Sequence, residues 1–159
     1  MANDMTVRDM LAQDDIYMKQ ALELARRAAQ MGEVPVGAVV VRNGEVIGAA
    51  GNRRECDHSA TAHAELLAIE QACKQVGSWR LSDCTLYVTL EPCPMCAGAI
   101  VNARVGRVVF GCKDARAGAM GSVLNLPSYP LNHRPQCTYG VSEAECRAVL
   151  QEFFVARRR

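Results

Sequence analysis

Three short runs crowded with β-branched residues constrain this chain most: "VGAVVV" from Val36, "CTLYVTL" from Cys84 and "GRVVFG" from Gly106. Continuous apolar runs of this length suit strands buried on both faces, so each needs a helix layer above and below it. The helices are there to supply those layers. Tyr17, Ala21, Leu24, Ala25, Ala28 and Met31 recur at three- and four-residue spacing and predict a helix over about 16–31, with Asp14 and Asp15 ahead of it and Gly32 behind. Asn43-Gly44 separates the first run from "EVIGAA" and suits a type I′ turn, whose two central residues need positive φ, so a β-hairpin is expected there. A second helix is expected over about 62–76, closed near Gly77, and a third opening in "EPCPMCAGAIVNA". Ser142 with Glu145 reads as a capping box for a last helix that carries Val149, Leu150, Phe153 and Phe154. Residues 113–134, rich in glycine and proline, are the irregular part and the natural binding loop. Helices interleaved with buried strands make one α/β domain with helices on both faces of a sheet.

At 159 residues, half of them hydrophobic and 22% charged, the chain can build a core without staples and has no apolar run long enough for a membrane span. No basic and apolar export signal opens it, so a cytoplasmic location with reduced thiols is expected. Its eight cysteines then serve metal binding or burial rather than disulfides. Residues 1–14 are acidic and are expected to be a mobile extension, leaving 15–159 as the single domain. The formal net charge of +1 conceals a basic end, "FFVARRR".

"TAHAE" from Thr61 and "TLEPCPMC" from Thr89 place one histidine and two cysteines where a metal could use them. A catalytic zinc site commonly takes three protein ligands and leaves a fourth position to water; His63, Cys93 and Cys96 form such a set. Pro94 suits the first position of a helix, which makes Cys93 its N-cap and Cys96 its N3 residue, and the positive end of the helix dipole there favours thiolate. Completion of the set by His58, His133 or another cysteine stays open. Glu65, two residues beyond His63, could carry protons between a metal-activated water and a substrate nitrogen. On its own it is equally an ordinary acidic residue of a first turn, and the two cysteines a redox or packing pair.

His-Ala-Glu followed by Pro-Cys-x-x-Cys resembles the signature of the zinc-dependent nucleobase deaminases. The wider set "EVPVGAVVV", "GNR", "TLYVTLEPCPMCAGAI", "GRVVFG", "DARAGAMGS", "NHR" and "FFVARRR" is similar to the bacterial tRNA adenosine deaminases of the cytidine/deoxycytidylate deaminase superfamily, over nearly the whole chain. The chain departs from them at Ser59-Ala60, where Asp-Pro is common. The resemblance implies a cytidine-deaminase-like three-layer α/β/α fold with a central mixed sheet, a homodimer, and hydrolysis of the wobble adenosine of a tRNA anticodon arm to inosine. It also implies one Zn²⁺ per chain on His63, Cys93 and Cys96, with Glu65 as proton shuttle. Asn52, Asp114, Asn132, His133, Arg134 and Arg157 would contact the substrate. Two rival readings are a deaminase of a free base or nucleoside, of guanine or cytosine type, and a non-catalytic RNA-binding subunit stabilised by zinc. Trp79, Phe153 and Phe154 are expected in core or interface, and the remaining cysteines mostly buried.

Overall fold

A computed structural model describes residues 5–158. The elements run α1 (Val7–Gln30), β1 (Gly37–Arg42), β2 (Glu45–Gly51), α2 (Ala64–Val76), β3 (Cys84–Leu90), α3 (Pro94–Asn102), β4 (Arg107–Cys112), β5 (Gln136–Tyr139) and α4 (Glu143–Arg157), with a single 3-10 turn at Leu126–Ser128. The five strands form one mixed sheet in the order β2-β1-β3-β4-β5. β1 is antiparallel to both β2 and β3, while β3, β4 and β5 run parallel. The hairpin forms as expected, with φ of 50° at Asn43 and 76° at Gly44.

Alternation along the central strands divides the core in two. Val39, Val41, Tyr87 and Val109 meet Met18, Ala21, Leu22 and Ala25 of α1 and Cys146 and Val149 of α4. Val40, Leu86, Val88, Val108 and Phe110 point the other way, against Ala64, Ala68 and Ala72 of α2 and Ala97 and Ile100 of α3. The three-layer α/β/α architecture is therefore the observed one. Two glycines set how closely its layers approach. A Cβ on Gly37 would lie 1.9 Å from the Ala21 carbonyl oxygen of α1, and one on Gly48 would lie 2.2 Å from that of Ala68 in α2.

Several boundaries differ from expectation. α1 begins at Val7 because Thr6 and Asp9 cap one another reciprocally, so residues 7–14 continue the helix. Asp14, expected ahead of the helix, is instead 1% exposed within it. Its carboxylate accepts from Arg107 Nη1 and Nη2 at 2.8 and 2.7 Å and from the Tyr87 hydroxyl at 2.7 Å. Ser142 is the N-cap of α4 but has φ 52° and ψ 37°, a left-handed backbone that does not let its side chain cap the helix; the box with Glu145 does not form. β5 was not expected: three of its four residues are exposed, so it carries no apolar signature. Cys56 and Cys137 are exposed rather than buried. Trp79 is also exposed, under the guanidinium groups of Arg80 and Arg104. Among the described residues, no helix is long and apolar enough to cross a membrane.

Candidate metal centre and its cleft

The parallel connection β3-α3-β4 and the neighbouring α2 bring two helix N-termini to one end of the sheet. His63 is the N-cap of α2, in extended backbone conformation at φ −78° and ψ 149°. Cys93 is the N-cap of α3 at φ −73° and ψ 173°, Pro94 is its first residue and Cys96 its third, as the prolines predict. Neither cap side chain is spent on its own helix, so all three side chains are free to face one another.

They do so. The ligand atoms of His63, Cys93 and Cys96 all lie within 4.8 Å of one another, with His63 Nδ1 at 3.6 Å from Cys93 Sγ and 3.4 Å from Cys96 Sγ. A tetrahedral zinc with its usual bonds to sulfur and nitrogen separates those ligand atoms by about 3.5 Å, so the spacing fits that ion. The charges fit it too. The Cys96 thiol, as hydrogen-bond donor, holds Cys93 down at about 4, so Cys93 stands as thiolate. That same neighbour, with burial, pushes Cys96 far up. Two thiolates side by side repel, and a divalent cation is what allows both to ionise. Neither His58 nor His133 belongs to the group, so the set has three members among the described residues.

Glu65 sits in the first turn of α2, 4% exposed. Burial pushes its carboxyl group above the ordinary value, against the pull of its own backbone N–H and of His63. A buried acid with a raised pKa beside a metal set is suited to accept a proton and release it again.

These groups open on a cleft of about 210 Å³ whose lining includes Val34, Val36, Asn52, Arg54, Leu90, Glu91, Asp114 and Ala117. Its floor and rim are held by buried polar side chains. Asn52 donates through Nδ2 to the Val34 carbonyl at 3.2 Å and accepts from the Arg54 N–H at 3.3 Å, which leaves one N–H and one lone pair for a ligand. Glu33, 1% exposed, accepts from the Glu55 and Cys56 N–H groups at 3.0 and 2.8 Å and fixes the loop that carries Arg54. Glu91, 2% exposed, accepts from the N–H groups of Asp114, Met120 and Ser122 at 3.1, 3.0 and 3.1 Å and from the Ser122 hydroxyl. Burial alone would raise Glu91; those donors outweigh it and hold the carboxyl below its ordinary value.

Of the residues expected to contact substrate, Asn52 and Asp114 line the cleft. Asp114 also caps its own turn, accepting from the Arg116 and Ala117 N–H groups. Asn132, His133, Arg134 and Arg157 do not line it. Asn132 borders a separate groove along α3, the His133 Nε2–H donates to the Val105 carbonyl at 2.6 Å, and Arg134 is exposed. Arg157 donates to the Gly32 carbonyl at 2.6 Å and lies over the Phe153 ring, tying the end of α4 to the end of α1. Arg159 lies outside the described residues. Glu33, Glu91 and the apolar walls Val34, Val36 and Leu90 escaped sequence reasoning. A lone glutamate before Val-Pro or Pro-Cys carries no periodicity, and only its nonlocal N–H partners reveal it.

Comparison with known proteins places this geometry. The family model of MafB19-like deaminases matches residues 12–158. The tRNA-specific adenosine deaminase of Bacillus subtilis (strain 168) is 50% identical over 150 residues, covering 94% of this chain and 93% of that one. The tRNA-specific adenosine deaminase of Haemophilus influenzae is 45% identical, covering 91% and 85%. A solved structure from studies of A-to-I editing by tRNA:A34 deaminases at the wobble position superposes with a TM-score of 0.83 at 43% identity, covering 85% of this chain and 99% of that one. A guanine deaminase from Nitrosomonas europaea gives 0.75 at 25% identity, covering 97% of each.

Proposed function

Because the chain belongs to the deaminase family, and within it to the tRNA-specific adenosine deaminases, we propose that it hydrolyses the wobble adenosine of a tRNA anticodon arm to inosine, in the cytoplasm, with release of ammonia. The observation that carries this reading is the convergence of His63, Cys93 and Cys96 beside the buried Glu65 at the end of one cleft. His63, Cys93 and Cys96 would hold one Zn²⁺ per chain. Bound there, zinc supplies a water acidic enough to attack C6 of adenine near neutral pH.

The rest belongs to the protein. Glu65 takes one proton from the attacking water and delivers it to the ring nitrogen, then takes the second from the new C6 hydroxyl and delivers it to the amine as the C6–N bond breaks; its raised pKa suits the return transfer. Asn52 offers one donor and one acceptor to the base edge, and Val34, Val36 and Leu90 cover its faces and exclude water. An anticodon loop already presents unpaired bases, so moving one into the cleft costs less than from a duplex. Two copies of the chain are proposed to pair as a homodimer; sedimentation at the mass of a monomer would remove that part.

The deciding experiment offers the protein an anticodon stem-loop beginning with adenosine and, separately, free adenosine, cytidine and guanine. Inosine formed in the RNA is the expected product. Turnover of guanine or cytidine with none of the RNA would replace this reading by a small-molecule deaminase. Binding of the RNA without any turnover, with zinc present, would leave a zinc-stabilised binding subunit.

A further inference from the structure

One wall of the cleft is a loop without regular structure, and Asp114 and Ala117 are the residues it presents to the cavity. Loops of this kind normally satisfy their backbone with water. This one uses a carboxylate. Both oxygens of Glu91 are taken, Oε1 by the Asp114 N–H and the Ser122 hydroxyl, Oε2 by the Met120 and Ser122 N–H groups. Burying a carboxylate is costly unless such partners are supplied, and four donors from one loop fill the lone-pair sites of this one. The loop is shaped around it as well: a Cβ on Gly118 would lie 2.4 Å from the Glu91 carboxyl group and 2.6 Å from the Asp114 carbonyl oxygen. The next residue along repeats the tie, since the Pro92 carbonyl accepts from the Ala119 N–H at 2.8 Å. Cys93 follows directly.

We infer that Glu91 is a positioning residue for the substrate: by fixing the loop 114–122 to the segment that carries Cys93, it sets the distance between the cleft wall and the metal centre, and with it the fit of the bound base. The backbone of Glu91 is itself pinned, its N–H donating to the Cys112 carbonyl at 2.9 Å where β4 gives way to the loop. The residue that holds the wall is thus two peptide links from Cys93, with Pro92 restricting the rotation between them. The inference rests on the deaminase reading for its substrate but not for its geometry.

Glu91→Gln keeps the shape and spoils the acceptor set, because the amide turns an N–H group toward an N–H donor whichever way it faces. Ser122→Ala is the milder companion, removing one hydroxyl donor and leaving the backbone N–H in place. Zinc content, amide hydrogen exchange over 114–122 and steady-state kinetics on an adenosine-containing anticodon stem-loop are measured for both zinc-loaded variants and the parent. Glu91→Gln is expected to keep its zinc, to exchange the Met120 and Ser122 amides at least about tenfold faster, and to raise KM on the order of tenfold with a smaller change in kcat. Ser122→Ala should move both readouts the same way by less. Unchanged exchange in Glu91→Gln, or faster exchange with KM and kcat both unchanged, would overturn the inference. So would loss of zinc and fold in Glu91→Gln with Ser122→Ala equal to the parent, since that is a purely structural part. A parent without activity on RNA overturns the functional reading instead, and the exchange measurement still decides whether Glu91 holds the wall.

Discussion

Glu65 and Glu91 are both buried carboxylates bordering one cleft, yet their surroundings drive them apart: burial raises the first, while backbone and hydroxyl donors hold the second down. On the proposed mechanism the first exchanges a proton while the second stays charged. Glu65→Gln is therefore expected to retain zinc and fold while turnover falls by roughly 10²- to 10⁴-fold, as removal of a general acid/base does. Zinc analysis with single-turnover kinetics checks it; a variant as active as the parent removes the role. Cys93→Ala should lose zinc, and full metal occupancy in that variant would refute the assignment. The grouping of His63, Cys93 and Cys96, with Glu65 in the same cleft, was legible because spacing and residue type together point to a metal set. Glu33 and Glu91 were not, because what distinguishes them is a set of N–H groups some twenty to thirty residues away.

Elements read from periodicity are found in place, and the errors gather at their ends. α1 starts earlier than its apolar stripe because the Thr6–Asp9 cap adds turns whose side chains Val7 and Leu11 remain exposed. In compensation α1 delivers Asp14 to the interior, where it joins β3 through Tyr87 and β4 through Arg107, and Arg107 reaches Thr138 of β5. Asp14→Asn leaves a largely buried guanidinium without its countercharge and should cost about 3 kcal/mol in urea unfolding; a loss below about 1 kcal/mol would show that the pair is solvated. Glu33 makes the corresponding tie for the loop after β2. Burial opposes its ionisation, but the Cys56 and Glu55 N–H groups prevail and keep it below the ordinary 4.5. A folded pKa lower than the unfolded one contributes stability that is complete above the unfolded value and disappears as pH falls through the folded one. Between neutrality and acid, unfolding free energy should thus begin to fall near pH 4.5, and Glu33→Gln should flatten that dependence; an unaltered slope would assign the acid transition to other groups.

At the scale of the whole molecule, the order of layers could be read from the valine-rich runs, whereas β5, short and exposed, could be found only from its pairing with β4. A formal net charge of +1 also means that RNA must be held by local cations rather than by the overall field. Arg54 lines the cleft and Lys113, whose ammonium lies over the Tyr139 ring, precedes Asp114 of its wall, whereas Arg157 donates to the Gly32 carbonyl. Neutralising Arg54 and Lys113 should lower the slope of log affinity against log salt by roughly 0.7 for each phosphate no longer neutralised, and removing the last two arginines should do the same if they reach RNA. Binding titrations at several salt concentrations decide between the two groups of cations, and a slope unchanged in both variants would place the RNA backbone elsewhere on the surface. Gly48 does not line the cleft, but it is where β2 lets the backbone of α2 come close, one turn from Glu65. A single methyl there would lift that helix and carry the Glu65 carboxylate with it. Over generations, then, catalysis can be retuned or lost from within the sheet, with every residue of the cleft unchanged.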